Sequence, residues 1–204
     1  MIHPTAIIYP NVDLGENISI GAFCIIGEGG GEGGSDTPDT FIGDGANIRS
    51  HTVIYRGNRI GSGFQTGHHA VIREENEIGD NVSVGSLSCV EHHVKIADGV
   101  RIHSQAFIPE FCVLEEEAWI GPNVVLTNAR YPRSKNVKEQ LAGVTVRKQV
   151  KIGANATVLP GKELGEFSLI GSGSVVTKDT EPKSVMVGNP ARKIAVLDDI
   201  EEYN

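Results

Sequence analysis

The chain has 204 residues, a net charge of −8, a pI near 5.3, 25 glycines and few aromatics, which bounds it to one domain or one solenoid. The acidic balance argues against broad binding to nucleic acid or to an anionic membrane, while leaving room for local basic sites toward a phosphorylated ligand. Three widely spaced cysteines without a CxxC pattern suit a reducing cytoplasm, and neither a signal peptide nor a membrane span is read, so a cytoplasmic protein without membrane insertion is expected.

Residues 2–26 set a period of six, with Ile2, Ile8, Leu14, Ile20 and Ile26 as its rungs. Two residues before the later rungs stand Ala6, Val12, Ile18 and Cys24 as second inward candidates. Residues 27–41 then break the count, because Ile26 and Ile42 are 16 apart. Their Gly, Asp, Ser, Thr and Pro content reads as a loop ejected from a corner.

From Ile42 to Leu126 the count in sixes runs without interruption, and every rung is aliphatic except Thr66. Glycine often follows the rung, as at Gly43, Gly61, Gly79, Gly85 and Gly121. Such a period fits neither an amphipathic helix nor an alternating strand. It fits a short strand and a tight corner, repeated, which is the signature of a parallel β-helix. Three hexads close one triangular coil, so residues 18 apart stack on adjacent coils. Cys24 and Cys112 fall at inward positions and Cys89 faces outward.

A second insertion, residues 127–149, is strongly basic; the rungs resume at Ile152, Val158, Leu164, Ile170 and Val176. The predicted division is a β-helix over 1–176, with loops 27–41 and 127–149 ejected, and a cap over 177–204 that ends in a short acidic helix. A cap is needed because the last coil has an open edge.

Counting by 18 aligns His92, Glu110 and Asn128 in one column, with Glu74 and Arg56 below. Asn128 stands where the long loop departs. Convergent titratable groups of this kind mark a candidate site, against the plain reading of a solvated corner. A second column holds His51, His69, Leu87, Gln105 and Asn123. His103 projects outward after the rung Ile102 and reaches the Glu110 corner either along its own coil or from a neighbouring subunit. His68 and His69 bind a ligand phosphate or ring, or simply cap a polar corner.

The ladder, the stretch WIGPNVVLTNARYPRS (residues 119–134) and the run from Ile152 to Ile194 resemble the left-handed β-helix, hexapeptide-repeat acyltransferases. The segments GHHAVIRE (67–74) and TNARYPR (127–133) look like enzymes that N-acetylate 3-amino sugars linked to dTDP or UDP. The left hand of the coil comes from this resemblance, as does the expectation of a homotrimer with interfacial active sites. The resemblance implies an all-β fold of about eight coils. It also implies acetyl-CoA as co-substrate, with no resident metal. It puts Ala154, Ala156, Gly171, Ser172, Thr177, Lys178 and Arg192 at CoA. Asn128, His103, Glu110 and His92 fall at the reacting end, and His68, His69, Arg73, Glu74, Arg130 and Tyr131 at the sugar. The implied role is cell-surface glycan biosynthesis. The rival readings are an acyltransferase on a non-nucleotide acceptor and a zinc enzyme like the γ-class carbonic anhydrases. The glycine–histidine signature of that second family is not found here.

Overall fold

A computed structural model describes residues 1–29 and 39–203. Most strands are only two residues long, since the hexad leaves four residues for each corner. They form three sheets of nine, eight and ten strands, parallel and recurring at every third strand along the chain except at the C-terminal hairpin that ends the ten-stranded sheet. The sheets are the faces of a triangular prism. Face 1 begins with Ile7–Ile8, face 2 with Val12–Leu14 and face 3 with Ser19–Ile20.

Register follows the count by 18: Val71 pairs with Cys89, Ile78 with Ile96 and Val84 with Ile102. The rungs from Ile20 onward are buried, whereas Ile2 at the open first coil is half exposed. Cys24 and Cys112 are fully buried with them. Thr66 is tolerated as a rung because its hydroxyl accepts from the Arg49 N–H at 3.0 Å and meets the Thr52 hydroxyl at 3.0 Å. A buried polar group so satisfied escapes the desolvation penalty that an orphan would carry.

Two boundaries differ from the sequence expectation. Thr145–Val146 is a strand of face 2 that pairs with Val113 and Leu114, so Val146 is a rung and the second insertion ends at residue 143. The partners Val113 and Thr145 are 32 apart rather than 18, so 14 extra residues leave the coil. Similarly, strands Ile25–Glu28 and Thr40–Ile42 claim both ends of the first insertion, and Thr40 is buried. Residues 30–38, the rest of that predicted loop, lie outside the described residues. Both insertions leave from the same corner, between faces 1 and 2. Long loops in a compact repeat are usually functional or linker-like, and the second of these leaves the coil beside Asn128.

The C-terminal segment caps face 3 with a hairpin instead of a helix. Ser184–Gly188 adds in parallel to Leu169–Ile170, and Ala191–Val196 folds back on it antiparallel. The acidic end forms two single 3-10 turns, Leu197–Asp199 and Glu201–Tyr203, in place of the expected short helix.

Candidate active site at the corner between faces 1 and 2

Each coil turns this corner with the same four positions after its rung. The second position carries Arg56, Glu74, His92, Glu110 and Asn128 in successive coils. The 18-residue stacking therefore brings together the column that the sequence predicts. His92 Nε2 lies 3.3 Å from Glu110 Oε1, and the Asn128 amide donates to Glu110 Oε2. All three side chains are partly buried. The Nδ1 of His92 is buried and has no partner among the described residues.

Lower in the stack, Arg73 donates twice to Glu74, at 2.7 and 2.8 Å, and once to Glu91 at 3.3 Å. The Arg73 hydrogen bonds hold the Glu74 carboxyl below its usual range, so it stays ionised. The Arg73 guanidinium also lies over the Tyr55 ring, 5.1 Å from its centroid. Below that, Arg56 pairs with Asp39. Burial pushes the Asp39 carboxyl up, and hydrogen bonds from Asn11, Arg56 and Thr40 more than offset it. At the next corner position His93 contacts Glu75 at 3.2 Å and stacks on Phe111, with ring centroids 5.9 Å apart.

The corner is held from inside by a feature that the sequence reading passed over. Asn58 and Asn76 are buried where other coils place Val94 or Cys112. Asn58 Nδ2 donates to the carbonyls of Tyr55 and Arg73, both at 2.7 Å. Its oxygen accepts from the Asn76 N–H, and the Asn76 oxygen accepts from the Val94 N–H. This amide ladder fixes the backbone beneath His92. An asparagine at an inward position of a hexad was the available signal.

The long loop is pinned at its base. The Asn128 carbonyl accepts from Ala142, whose own carbonyl accepts from Gly161, both at 2.9 Å. A Cβ on Gly143 would sit 2.1 Å from the Phe111 carbonyl carbon, so only glycine closes the loop there. Arg130 and Tyr131 are exposed on this loop, the guanidinium 5.8 Å from the ring centroid.

His103, His68 and His69 are elsewhere. They stand at the corner between faces 3 and 1, across the strand Phe107–Ile108 from Glu110. The path along a single coil is therefore excluded as a way to join His103 to Glu110. His103 packs on Trp119, with ring centroids 4.5 Å apart. His68 Nδ1 meets the Ser50 hydroxyl at 2.8 Å, and His69 stacks on His51 at 4.5 Å.

Residues 77–110 match the family model described as bacterial transferase hexapeptide (six repeats). Galactoside O-acetyltransferase of Escherichia coli is 35% identical over 88 residues, which cover 41% of this chain and 43% of that protein. Chloramphenicol acetyltransferase of Klebsiella aerogenes is 52% identical over 56 residues, 27% of each chain. The matched stretches thus span less than half of these curated relatives. The solved structure of Francisella novicida UDP-N-acetylglucosamine acyltransferase superposes with a TM-score of 0.77 at 17% identity, covering 98% of this chain and 71% of that one. The chain is a hexapeptide-repeat protein. Its fold is the left-handed β-helix expected from the resemblance to the hexapeptide-repeat transferases.

In this hexapeptide-repeat protein the residues expected at CoA divide over three places. Ala154, Gly171 and Ser172 share the corner between faces 3 and 1, Thr177 and Lys178 follow the last strand of face 1, and Arg192 is exposed on the hairpin. Ala156 differs from these in that its side chain is fully buried in the coil, where it fills core space. One metal-competent set occurs among the described residues, with an atom each from Glu91, His92 and Glu110 within 4.8 Å of one another. Glu91 already accepts from Arg73, and Glu110 from Asn128.

Proposed function

We propose that the protein is a CoA-dependent N-acyltransferase that moves an acetyl group from acetyl-CoA to the amine of a nucleotide-linked amino sugar, a 3-amino-dideoxy sugar on dTDP or UDP. The observation that carries this reading is the His92–Glu110–Asn128 stack at the foot of the long loop. The acetyltransferase names of the curated relatives support the reaction class.

The reaction needs a neutral amine held against a thioester, a donor for the tetrahedral oxygen, and departure of the thiolate. Holding both reactants in one cleft supplies much of the acceleration. The Asn128 amide is the candidate oxyanion donor. Glu110 serves orientation better than proton removal, because a carboxylate near an ammonium favours the charged, unreactive form. Arg130 and Tyr131 on the loop, with Arg73 and Glu74 below, fall to the sugar nucleotide.

A homotrimer is part of the proposal. The outward positions of face 1 are apolar in coil after coil: Ile7, Ile25, Val53, Val71, Cys89, Phe107 and Val125. Ile7, Phe107 and Val125 are exposed in the single chain. Covering that face with other copies would let His103, His68 and His69 of one subunit approach the Glu110 corner of another. The test is thiol release from acetyl-CoA against a panel of dTDP- and UDP-linked 3-amino and 4-amino sugars. Release with one of them supports the reading. Silence across the panel while CoA binds moves the acceptor outside nucleotide sugars.

A further inference from the structure

The outer surface of face 3 holds a groove of about 310 Å³ that none of the residues discussed so far explains in full. Its floor is small and polar: Gly67, Ser83, Gly85 and Ser86, with Gln65 and Ser104 at the sides. Arg49 stands at one end; Arg101 and His103 stand at the other. Both arginines are exposed, and neither has a carboxylate within salt-bridge distance among the described residues. In a chain of net charge −8, where Arg56, Arg73 and Arg147 are ion-paired, the two leave uncompensated positive charge at either end of one groove.

The glycines of the floor are required by coil stacking rather than by a ligand. A Cβ on Gly67 would lie 2.2 Å from the Ser86 nitrogen, and one on Gly85 would lie 2.4 Å from the Ser104 nitrogen. The consequence is nevertheless an open trough between two cations. Arg49 and the coil of Arg101 are three coil steps apart, on the order of 14 Å at the usual strand spacing. Arg49, Ser83 and Arg101 all line the same groove, so both guanidinium groups are within side-chain reach of a ligand lying over Ser83. The hydroxyl groups there add neutral donors; Ser86 Oγ already accepts the His68 N–H at 3.0 Å and keeps its own proton to donate. Two forked cations over a floor of hydroxyls suit a multiply charged phosphate ester.

We infer that this groove is an anion site that takes a diphosphate group, with Arg49 and Arg101 as its cations and Ser83 at its floor. In the proposed reaction two molecules bring that chemistry, the nucleoside diphosphate of the acceptor and the diphosphate of CoA. The assignment to either source rests on the acyltransferase reading; the diphosphate site itself does not.

Calorimetric titration tests it with inorganic pyrophosphate, dTDP, UDP and CoA as separate probes. The proteins are the wild type, Arg49→Ala, Arg101→Ala, Ser83→Asp and, as a control on face 2, Lys95→Ala. The expected result is at least tenfold weaker binding of pyrophosphate in the three groove variants and none in the control. Ser83→Asp keeps both arginines and adds a negative floor, so it separates loss of charge from loss of fold; circular dichroism checks the latter. A parallel loss with dTDP or UDP identifies the acceptor as the source, and a loss with CoA alone identifies CoA. Groove variants that bind every probe as the wild type does, or a wild type that binds none of them, overturn the site. Failure of acetyl transfer with pyrophosphate binding still dependent on Arg49 and Arg101 would count against the proposed reaction and not against the groove.

Discussion

The Asn128 side-chain amide donates to the Glu110 carboxylate one coil below it. The same carboxylate faces His92 a further coil down, at 3.3 Å. Three residues with 17 others between each pair are thus one continuous polar contact, built by nothing more than the repeat length. The upper member also anchors the base of the long loop through its carbonyl, so the site and the loop share Asn128.

If Asn128 supplies the oxyanion donor, Asn128→Ala lowers the turnover of acetyl transfer by about 10²-fold or more, as loss of such a donor does elsewhere. The melting temperature should change little, because the loop-base hydrogen bond uses the backbone and survives the substitution. Steady-state kinetics beside a melting curve decides the matter. Unchanged turnover would reduce Asn128 to a brace for Glu110.

Glu110→Gln keeps the shape and one acceptor oxygen but removes the charge. An orienting carboxylate predicts that KM for the amino sugar rises by about tenfold while kcat falls less, the pattern of lost ground-state binding. Glu110→Ala should be worse in both, since Asn128 and His92 then lose their shared partner. Equal kinetics in the wild type and both variants would return the residue to a solvated corner.

The ladder and the His92 column were legible because both depend on spacing alone. What escaped has physical reasons. Val146 was hidden because the loop shifts the count by 14, which is not a multiple of six. The pairs Val144–Val146 and Val150–Ile152 do repeat the inward spacing, and they mark the true return of the coil. His103 and Glu110 seemed able to meet because a count in sixes says that a residue is at a corner. Only a count in eighteens says which corner, and these two are seven apart. The Asn58 and Asn76 ladder went unread because a polar residue breaks the apolar inward pattern, and the partners that let it be buried there are seen only in three dimensions. Arg49 and Arg101 carry no motif at all; their absent ion pairs are visible only in three dimensions.

Burial, and then the charge of Arg101, hold the His103 imidazole below its ordinary value of 6.5. The unfolded chain therefore takes up this proton first as the pH falls. Above pH 6.5 the group leaves stability unchanged; below it, through the window down to the folded value, the folded state is progressively destabilised. Thermal melts between about pH 7.5 and pH 5.5 should show a fall in the wild type that is smaller in His103→Gln. Parallel slopes in the two proteins would mean that the ring is solvated in solution.

The apolar column on face 1 makes the last prediction. Phe107 is 37% exposed, pairs with Cys89 and Val125 in register, and lies on the strand between the His103 and Glu110 corners. A charge there does not disturb the coil, because the side chain points away from the core. It does disturb any copy packed on the face, where an unpaired carboxylate is costly to bury. Phe107→Glu is therefore expected to drop the mass seen by light scattering about threefold, from a closed trimer to a monomer with unchanged circular dichroism. Because the proposed site draws His103 from a second subunit, acetyl transfer should be lost with the trimer. A variant that stays trimeric would show that the copies meet through another face. A monomer with full activity would show instead that the Glu110 corner is complete within one chain.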